Sequence, residues 1–243
     1  MTNQIPLSLT IRDEASFDNF YTPGNEVAFS HIESSVTKAM SDGSIFVWGA
    51  HCSGKTHLLQ AACSRASEQG LKAAYIPLES GVEFNVNILD SLENFDLICI
   101  DDIDVIAGSK SWEQALFFFY NRAFETGAQV IISGQKSLKE TDIALPDLVS
   151  RLSWGFVFHL QTLTDENKAR ALQARAKIRG FELPDNVVAY LLRRIPRDMN
   201  TLFNMLDELD LASLSAKRRL SIPIVKDWFD TSEKASDILT SAE

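Results

Sequence analysis

The sequence predicts an α/β protein: a parallel five-stranded sheet flanked by helices, followed by a small C-terminal helical domain. Two patterns carry this expectation. Up to about residue 160, short apolar runs bounded by glycine or acid alternate with amphipathic stretches of helical period. Such alternation belongs to βαβ units whose parallel sheet is covered on both faces. From Asp165 onward the strand-like runs stop and only helical patterns continue.

The elements follow in order along the chain. Residues 1–12 show no helical period and read as a flexible arm. Ser16-Phe17-Asp18-Asn19-Phe20 is a short aromatic–polar run, and Pro23-Gly24-Asn25 reads as a turn. A helix is expected over 26–40. The first strand, 45–48, is an apolar run between Gly43 and Gly49. A helix over 55–69 is closed by Gly70. Strands follow at 73–77 and 96–100, the second of them running into acid. A helix with an aromatic face occupies 112–125 and stops at Gly127, and the last strands are 129–133 and 156–160. Helices are then expected over 165–179, 184–195, 197–214 and 222–229, with Pro184 and Pro196 near the starts of the second and third. The expected organisation is an arm (1–12), an α/β core (13–160), a helical domain (161–232) and a polar tail (233–243).

Composition excludes several function classes. With 45% hydrophobic and 23% charged residues the chain has the make-up of a globular protein. No apolar run approaches the roughly 20 residues that span a bilayer, so no membrane partner is expected. The N-terminus has no basic stretch followed by an apolar one, which points to a cytoplasmic protein. Cys52, Cys63 and Cys99 are unclustered, suiting a reducing compartment and neither a disulfide framework nor a metal site. The net charge of −10 argues against a protein that coats nucleic acid, because counterion release needs a basic surface. The acidic excess is confined to residues 1–159, with 10 Lys/Arg against 20 Asp/Glu, while residues 160–243 carry 13 of each. Two readings of that excess stay open, a solubility surface and a docking face for a basic partner.

The chemistry is concentrated at one loop. Gly49-Ala50-His51-Cys52-Ser53-Gly54-Lys55-Thr56 matches G-x-x-x-x-G-K-[ST] at every fixed position and lies between a predicted strand and a predicted helix. Glycines let the backbone turn its N–H groups toward phosphate oxygens, and the helix adds its positive N-terminus. Lys55 can then reach the β/γ-phosphates, and the Thr56 hydroxyl can take Mg²⁺. The expected partner of such a loop is an apolar strand ending in acid, and Leu97-Ile98-Cys99-Ile100-Asp101-Asp102 follows about 45 residues later. Asp101 would help hold Mg²⁺, partly through water, and Asp102 would polarise an attacking water. Asp104 reads as a surface residue.

With these motifs placed, the chain resembles the DnaA/Hda family of AAA+ proteins, and within it the Hda-type regulators of bacterial replication initiation. The resemblance runs from Ser16 to about Phe229. It rests on Ser16-Phe17-Asp18-Asn19-Phe20, Gly54-Lys55-Thr56-His57-Leu58-Leu59, Ile100-Asp101-Asp102-Ile103, Leu148-Val149-Ser150-Arg151-Leu152-Ser153-Trp154-Gly155 and Arg197-Asp198-Met199. It implies a P-loop AAA+ core with a helical lid, and ADP or ATP with Mg²⁺ as cofactors. Asn19, Phe20 and Tyr21 match the segment that lies against adenine, with a hydrophobic strap as the alternative reading. His57 follows the phosphate loop within the same motif. Arg151 matches a finger acting on a neighbouring subunit's nucleotide, where fixed positive charge meets charge developing on the γ-phosphoryl group. A surface arginine paired with Asp147 is the other reading. Arg197 matches the lid arginine that senses phosphate in cis. Gln135 stands where the family has a polar, typically acidic, sensor; it can hydrogen-bond but carries no charge, so weak or no hydrolysis by this chain itself is expected.

The segment between Tyr75 and Asp101 is too short for the initiator's extra DNA-contacting helix, and the chain ends soon after the lid. A regulator, not the initiator itself, is therefore expected. The arm then matches a second pattern. Gln4-Ile5-Pro6-Leu7-Ser8-Leu9 resembles the Q-x-x-L-x-[LF] peptide that docks on the replicative sliding clamp, the β subunit of DNA polymerase III. Leu7 and Leu9 would be the apolar anchors, with the Gln4 amide setting register. The resemblance thus implies DnaA and the clamp as partners, DNA reached only through the clamp, and both monomer and homodimer left open. A helicase-loading or strand-binding ATPase is the alternative, as is an adaptor that holds ADP without turnover. The former expects a partner-binding N-terminal domain and a basic groove, and this chain has a short arm and an acidic core. Because the arm lies outside the predicted core, Gln4→Ala combined with Leu7→Ala should abolish clamp retention in a pull-down and leave ADP affinity unchanged. Undiminished retention of the clamp by the double variant would remove the tether.

Overall fold

The computed structural model describes residues 15–37, 43–78, 85–196, 199–216 and 220–231. The arm with Gln4, Leu7 and Leu9, the polar tail, and Arg197 lie outside the described residues. Backbone contacts divide the chain into two compact units, Met1–Thr162 and Leu163–Glu243.

The first unit is built on Ile45–Trp48 (β1), Ala73–Pro77 (β2), Leu97–Asp101 (β3), Gln129–Gly134 (β4) and Phe156–His159 (β5). They form one all-parallel sheet in the order β2-β3-β4-β1-β5, so the expected α/β class is the observed one. Ile45 lies opposite both Ile131 and Phe156, which makes β1 the strand between β4 and the edge strand β5. Successive side chains leave a strand on opposite faces. Ile45 and Val47 accordingly pack with Glu26–Thr37 (α1) and Lys55–Glu68 (α2), while Phe46 packs with Lys110–Thr126 (α3) and Pro146–Leu152 (α4). All five residues of β3 are buried, consistent with an apolar run covered on both faces.

Several boundaries differ from expectation. β3 starts one residue late, because Asp96 turns its carboxylate to the Lys72 N–H (2.7 Å) before the ladder begins. The strand therefore ends on Asp101 and carries that acid within it. Of the helix expected over 26–40, Glu26–Thr37 is observed and residues 38–40 lie outside the described residues. Three 3₁₀ segments, Phe17–Asn19, Val86–Asn94 and Ile103–Ile106, were not expected, since segments this short or tightly wound show no 3.6-residue period.

The second unit contains Asp165–Ile178 (α5), Asp185–Arg194 (α6), Met199–Ala216 (α7) and Ile222–Thr231 (α8). Thr164 caps α5 by accepting the Asn167 N–H (3.2 Å). Leu172, Val187, Leu191, Leu202, Met205 and Val225 meet in its core, each 0% exposed. Among the described residues no helix is long and apolar enough to cross a membrane.

Two neighbours on α3 give a direct check of this packing. Phe119 is 0% exposed and Phe118 is 59% exposed. Phe119→Ala should lower unfolding free energy by about 3–5 kcal/mol through lost transfer energy and a cavity. Phe118→Ala should stay within about 0.5 kcal/mol. Urea unfolding of both variants measures the difference, and equal losses would mean that α3 is packed through another face.

Candidate functional site

β1 delivers the chain to the glycine-rich loop. Gly49 follows its last residue, and the Gly49 N–H donates to the Gly134 carbonyl (3.2 Å) at the end of β4. A Cβ at position 49 would lie 2.4 Å from the Leu160 carbonyl oxygen, so only glycine lets the loop leave the sheet this close to β5. The loop then turns through left-handed backbone at Cys52 (φ 60°) and Gly54 (φ 96°), and α2 opens at Lys55. Strand end, left-handed turn and helix N-terminus together collect backbone N–H groups and the positive end of a helix at one place.

The side chains suit an anion there. Lys55 is 6% exposed, and its ammonium donates to the carbonyls of Gly49 (2.8 Å) and Ala50 (3.0 Å). Among the described residues it has no carboxylate partner, an uncompensated buried charge that an anion would neutralise. Among the described residues the buried Ser53 hydroxyl has no hydrogen-bond partner, a second group that phosphate oxygen would satisfy. Thr56 is exposed in the first turn of α2, as its expected use on Mg²⁺ requires. Ala50 and His51 are exposed on the rim, where His51 Nδ1 lies 2.7 Å from the Cys52 thiol. The residues present therefore fit a nucleotide's phosphates.

Asn19, Phe20 and Tyr21 sit beside this loop. The Phe20 ring lies 2.9 Å from where a Cβ on Gly54 would stand, so glycine admits the ring against the loop. Phe20 also stacks on Phe29 (5.6 Å between centroids) and tilts against His57, whose Nε2 donates to the Ser16 carbonyl (3.0 Å). Asn19 accepts the Ser16 N–H (3.1 Å). Tyr21 is half-buried. Asn25 ties the segment down by exchanging two hydrogen bonds with the Gln161 backbone. These contacts hold the segment against the loop's base.

The acid pair lies at the same C-terminal edge of the sheet. Asp101 is 3% exposed, and both its oxygens are engaged, one by the Tyr75 hydroxyl (2.8 Å) and the other by the Ser133 hydroxyl. Burial and the neighbouring Asp101 charge push the Tyr75 phenol far above its ordinary value, so it remains a donor. Ser133 Oγ also accepts the Asp102 N–H (2.9 Å), holding Asp102 in left-handed backbone (φ 58°). Tyr75 and Ser133 were not singled out from the sequence. Their signal, a lone hydroxyl in each of two apolar strands, becomes legible only with the β2-β3-β4 order. Asp104 is a correction: it is half-buried, not a surface residue, and its carboxylate accepts the Gln135 N–H. The Gln135 side chain itself is exposed.

Arg151 is not brought to this site. It lies in the last turn of α4, half-buried, with its guanidinium 4.1 Å over the ring of Trp154, which is 66% exposed. Among the described residues it makes no ion pair, so the expected alternative of a pair with Asp147 is absent. Its charge bears on Tyr120, whose phenol burial pushes up against the opposing pull of Ser44 and Arg151. Tyr120 in turn bonds the Ser44 hydroxyl, and the Phe156 N–H donates to the Ser44 carbonyl (2.9 Å). Ser44 precedes β1 and Gly49 follows it. Ser44 and Gly49 stand roughly 16 Å apart along five extended residues, so the Tyr120 contact that Arg151 influences and the loop belong to opposite ends of one strand.

Residues 11–159 match the family of the bacterial DnaA ATPase domain, and residues 165–229 match the Hda lid domain. Among solved structures, domain III of the replication initiation protein DnaA from Thermotoga maritima is 22% identical. The match covers 89% of this chain and 97% of that one, with a TM-score of 0.73. A replication initiator DnaA bound to AMPPCP and single-stranded DNA is 20% identical over 83% of this chain, with a TM-score of 0.71. Only 66% of that DnaA chain is covered, so this chain spans less than two thirds of its length. A Thermotoga maritima RuvB variant is 15% identical over 89% of this chain and 71% of its own, with a TM-score of 0.67. These likenesses establish the P-loop AAA+ fold.

The close approach at Gly49 is open to test. Gly49→Ala should push the loop off Leu160 and destabilise the first unit by about 1–3 kcal/mol, the usual range for overpacking. Urea unfolding reads the loss, and unchanged stability would mean that the loop stands farther from β5.

Proposed function

The chain belongs to the family of the bacterial DnaA ATPase domain and carries an Hda-type lid, and from that premise we propose that it is a nucleotide-bound regulator that stimulates hydrolysis of ATP held by DnaA. The observation that carries this reading is the place of Arg151. A guanidinium near the far end of β1 from its own phosphate loop, without an ion pair among the described residues and lying on an exposed indole, is poorly placed to serve its own nucleotide. It is well placed for a neighbour's.

Within the chain, Lys55, the backbone N–H groups around Ser53 and Gly54, and the Ser53 hydroxyl hold the phosphates of ADP or ATP. Thr56 holds Mg²⁺, which when bound neutralises phosphate charge. Asp101 contributes through water, because both its oxygens already accept hydroxyl hydrogens. Phe20 and Tyr21, with Asn19, lie toward the adenine, and Arg197 senses phosphate from the lid. Asp102 is the group able to polarise water for the chain's own turnover. That turnover is weak, since an engaged Asp101 and an uncharged Gln135 leave little to stabilise the reaction. Gln4, Leu7 and Leu9 tether the regulator to the sliding clamp, and through it to DNA in the cytoplasm, so that DnaA is switched off once replication has begun.

The decisive experiment is hydrolysis by ATP-loaded DnaA in the presence of this protein, clamp and DNA, with each omitted in turn. Stimulation that survives omission of this protein would refute the reading. Arg151→Ala should keep fold, ADP affinity and clamp retention, and should lose roughly 10³-fold or more of the stimulation, the scale of a finger in other NTPases. Lys55→Ala should instead lose nucleotide binding. Full stimulation by the Arg151 variant would return Arg151 to an ordinary surface role.

A further inference from the structure

One buried carboxylate belongs neither to the loop nor to the acid pair. Glu113, in the first turn of α3, is 1% exposed. Among the described residues it has no basic partner, and its charge is met entirely by backbone. One oxygen accepts the N–H groups of Gly108 (2.7 Å) and Ala144 (3.0 Å), and the other accepts that of Leu145 (2.8 Å). Charge-assisted bonds of this kind are short and directional, and removing the acceptor would leave up to three backbone donors without a partner.

The three donors come from two functional segments. Gly108 closes the turn that follows Asp101 and Asp102 through Ile103–Ile106. Ala144 and Leu145 lead directly into α4, of which Leu145 is the N-cap and Pro146 the first residue. α4 has seven residues, far fewer than a helix needs to hold itself in water. Leu148 and Leu152 bury one face of it, but apolar contacts alone fix neither rotation nor axial position tightly. Those are set at the ends. At the C-terminal end the Trp154 N–H donates to the Arg151 carbonyl (3.1 Å) and the Phe156 N–H to Ser44 (2.9 Å). At the N-terminal end the anchor is Glu113. Arg151 lies six residues beyond Leu145, about 9 Å along the helix, so a shift at the start is carried to the guanidinium.

The geometry points to Glu113 as the positioning residue for Arg151: its carboxylate clamps the start of α4 to the turn after the acid pair and thereby sets where the guanidinium stands. This rests on the proposed action of Arg151 on a partner's nucleotide. A finger acts by placement, and a misplacement of about 1 Å can cost 10²-fold in rate.

Glu113→Gln keeps the side-chain shape but turns one acceptor into a donor facing N–H groups. With full-length protein, clamp, DNA and ATP-loaded DnaA, its maximal stimulation should fall roughly 10²-fold. The protein concentration giving half of that maximum, and the ADP affinity, should change by less than about twofold, because neither depends on where the guanidinium points. Amide exchange at Gly108, Ala144 and Leu145 should accelerate. Leu145→Pro is the second variant. Its φ of −86° is close to proline's, and the change removes one of the three donors while keeping the carboxylate, so a smaller loss of the same kind is expected. If Glu113→Gln fails to fold, the Leu145 variant decides: lost stimulation with retained ADP binding supports the clamp, and full stimulation overturns it. Folded Glu113→Gln with full stimulation overturns the proposal when Arg151→Ala is inactive. Parallel loss of ADP binding and stimulation also overturns it, since that would be general destabilisation. Full activity of Arg151→Ala would instead defeat the reading of Arg151 itself.

Discussion

Everything of consequence in the first unit hangs on β1, held in parallel register between β4 and β5. A parallel strand has chemically distinct ends, and here each end is used. Its C-terminal end releases the backbone into the glycine-rich loop beside Gly134 and Leu160. Its N-terminal end, through Ser44, fastens Tyr120 and the chain after α4. Because the strand is stiff and doubly paired, the separation of its two ends is built in. Slipping β1 by one residue would exchange Phe46 for Ile45 and Val47 between the two cores and displace both ends together.

The electrostatics of the loop and of the acid pair are opposite solutions to burial. Lys55 is buried against neutral carbonyls, which orient the ammonium without cancelling its charge. Asp101 is buried against two hydroxyl donors, one on each oxygen, which meet about half of the carboxylate's acceptor sites. The first arrangement leaves a strong demand for an anion, and the second orients the carboxylate while leaving an acceptor site on each oxygen. The loop is thereby suited to a nucleotide's phosphates.

Carboxylates that are buried or half-buried recur as joints in this unit. Asp104 holds the Gln135 N–H, Asp101 bridges β2 and β4 through hydroxyls, and Glu113 gathers three N–H groups from two loops. None of the three makes an ion pair among the described residues. Backbone donors are fixed by the chain path, whereas lysine and arginine side chains are long and flexible, so carboxylate–amide joints specify loop position more tightly than ion pairs would. The high acid content of the core is therefore not wholly a surface property.

The sequence by itself determined the α/β class, the order of its strands along the chain, the helical second unit and the Gly49–Thr56 loop. Each is written in contiguous residues: a period of two or 3.6, or fixed spacing over eight positions, reflects geometry that covalent neighbours impose. Asp101 and Asp102 were legible for the same reason, at the end of one apolar run. The tertiary structure alone decided that Tyr75 and Ser133 meet Asp101, that Asp104 holds the Gln135 N–H, and that Glu113 joins Gly108 to Ala144 and Leu145. Apart from the local Gly108–Glu113 bond, those pairings span 26, 32, 31, 31 and 32 residues of chain. They arise because β3 lies between β2 and β4, and β1 between β4 and β5, an order set by burial of whole faces. A single hydroxyl or carboxylate has no local periodicity with which to announce its partner.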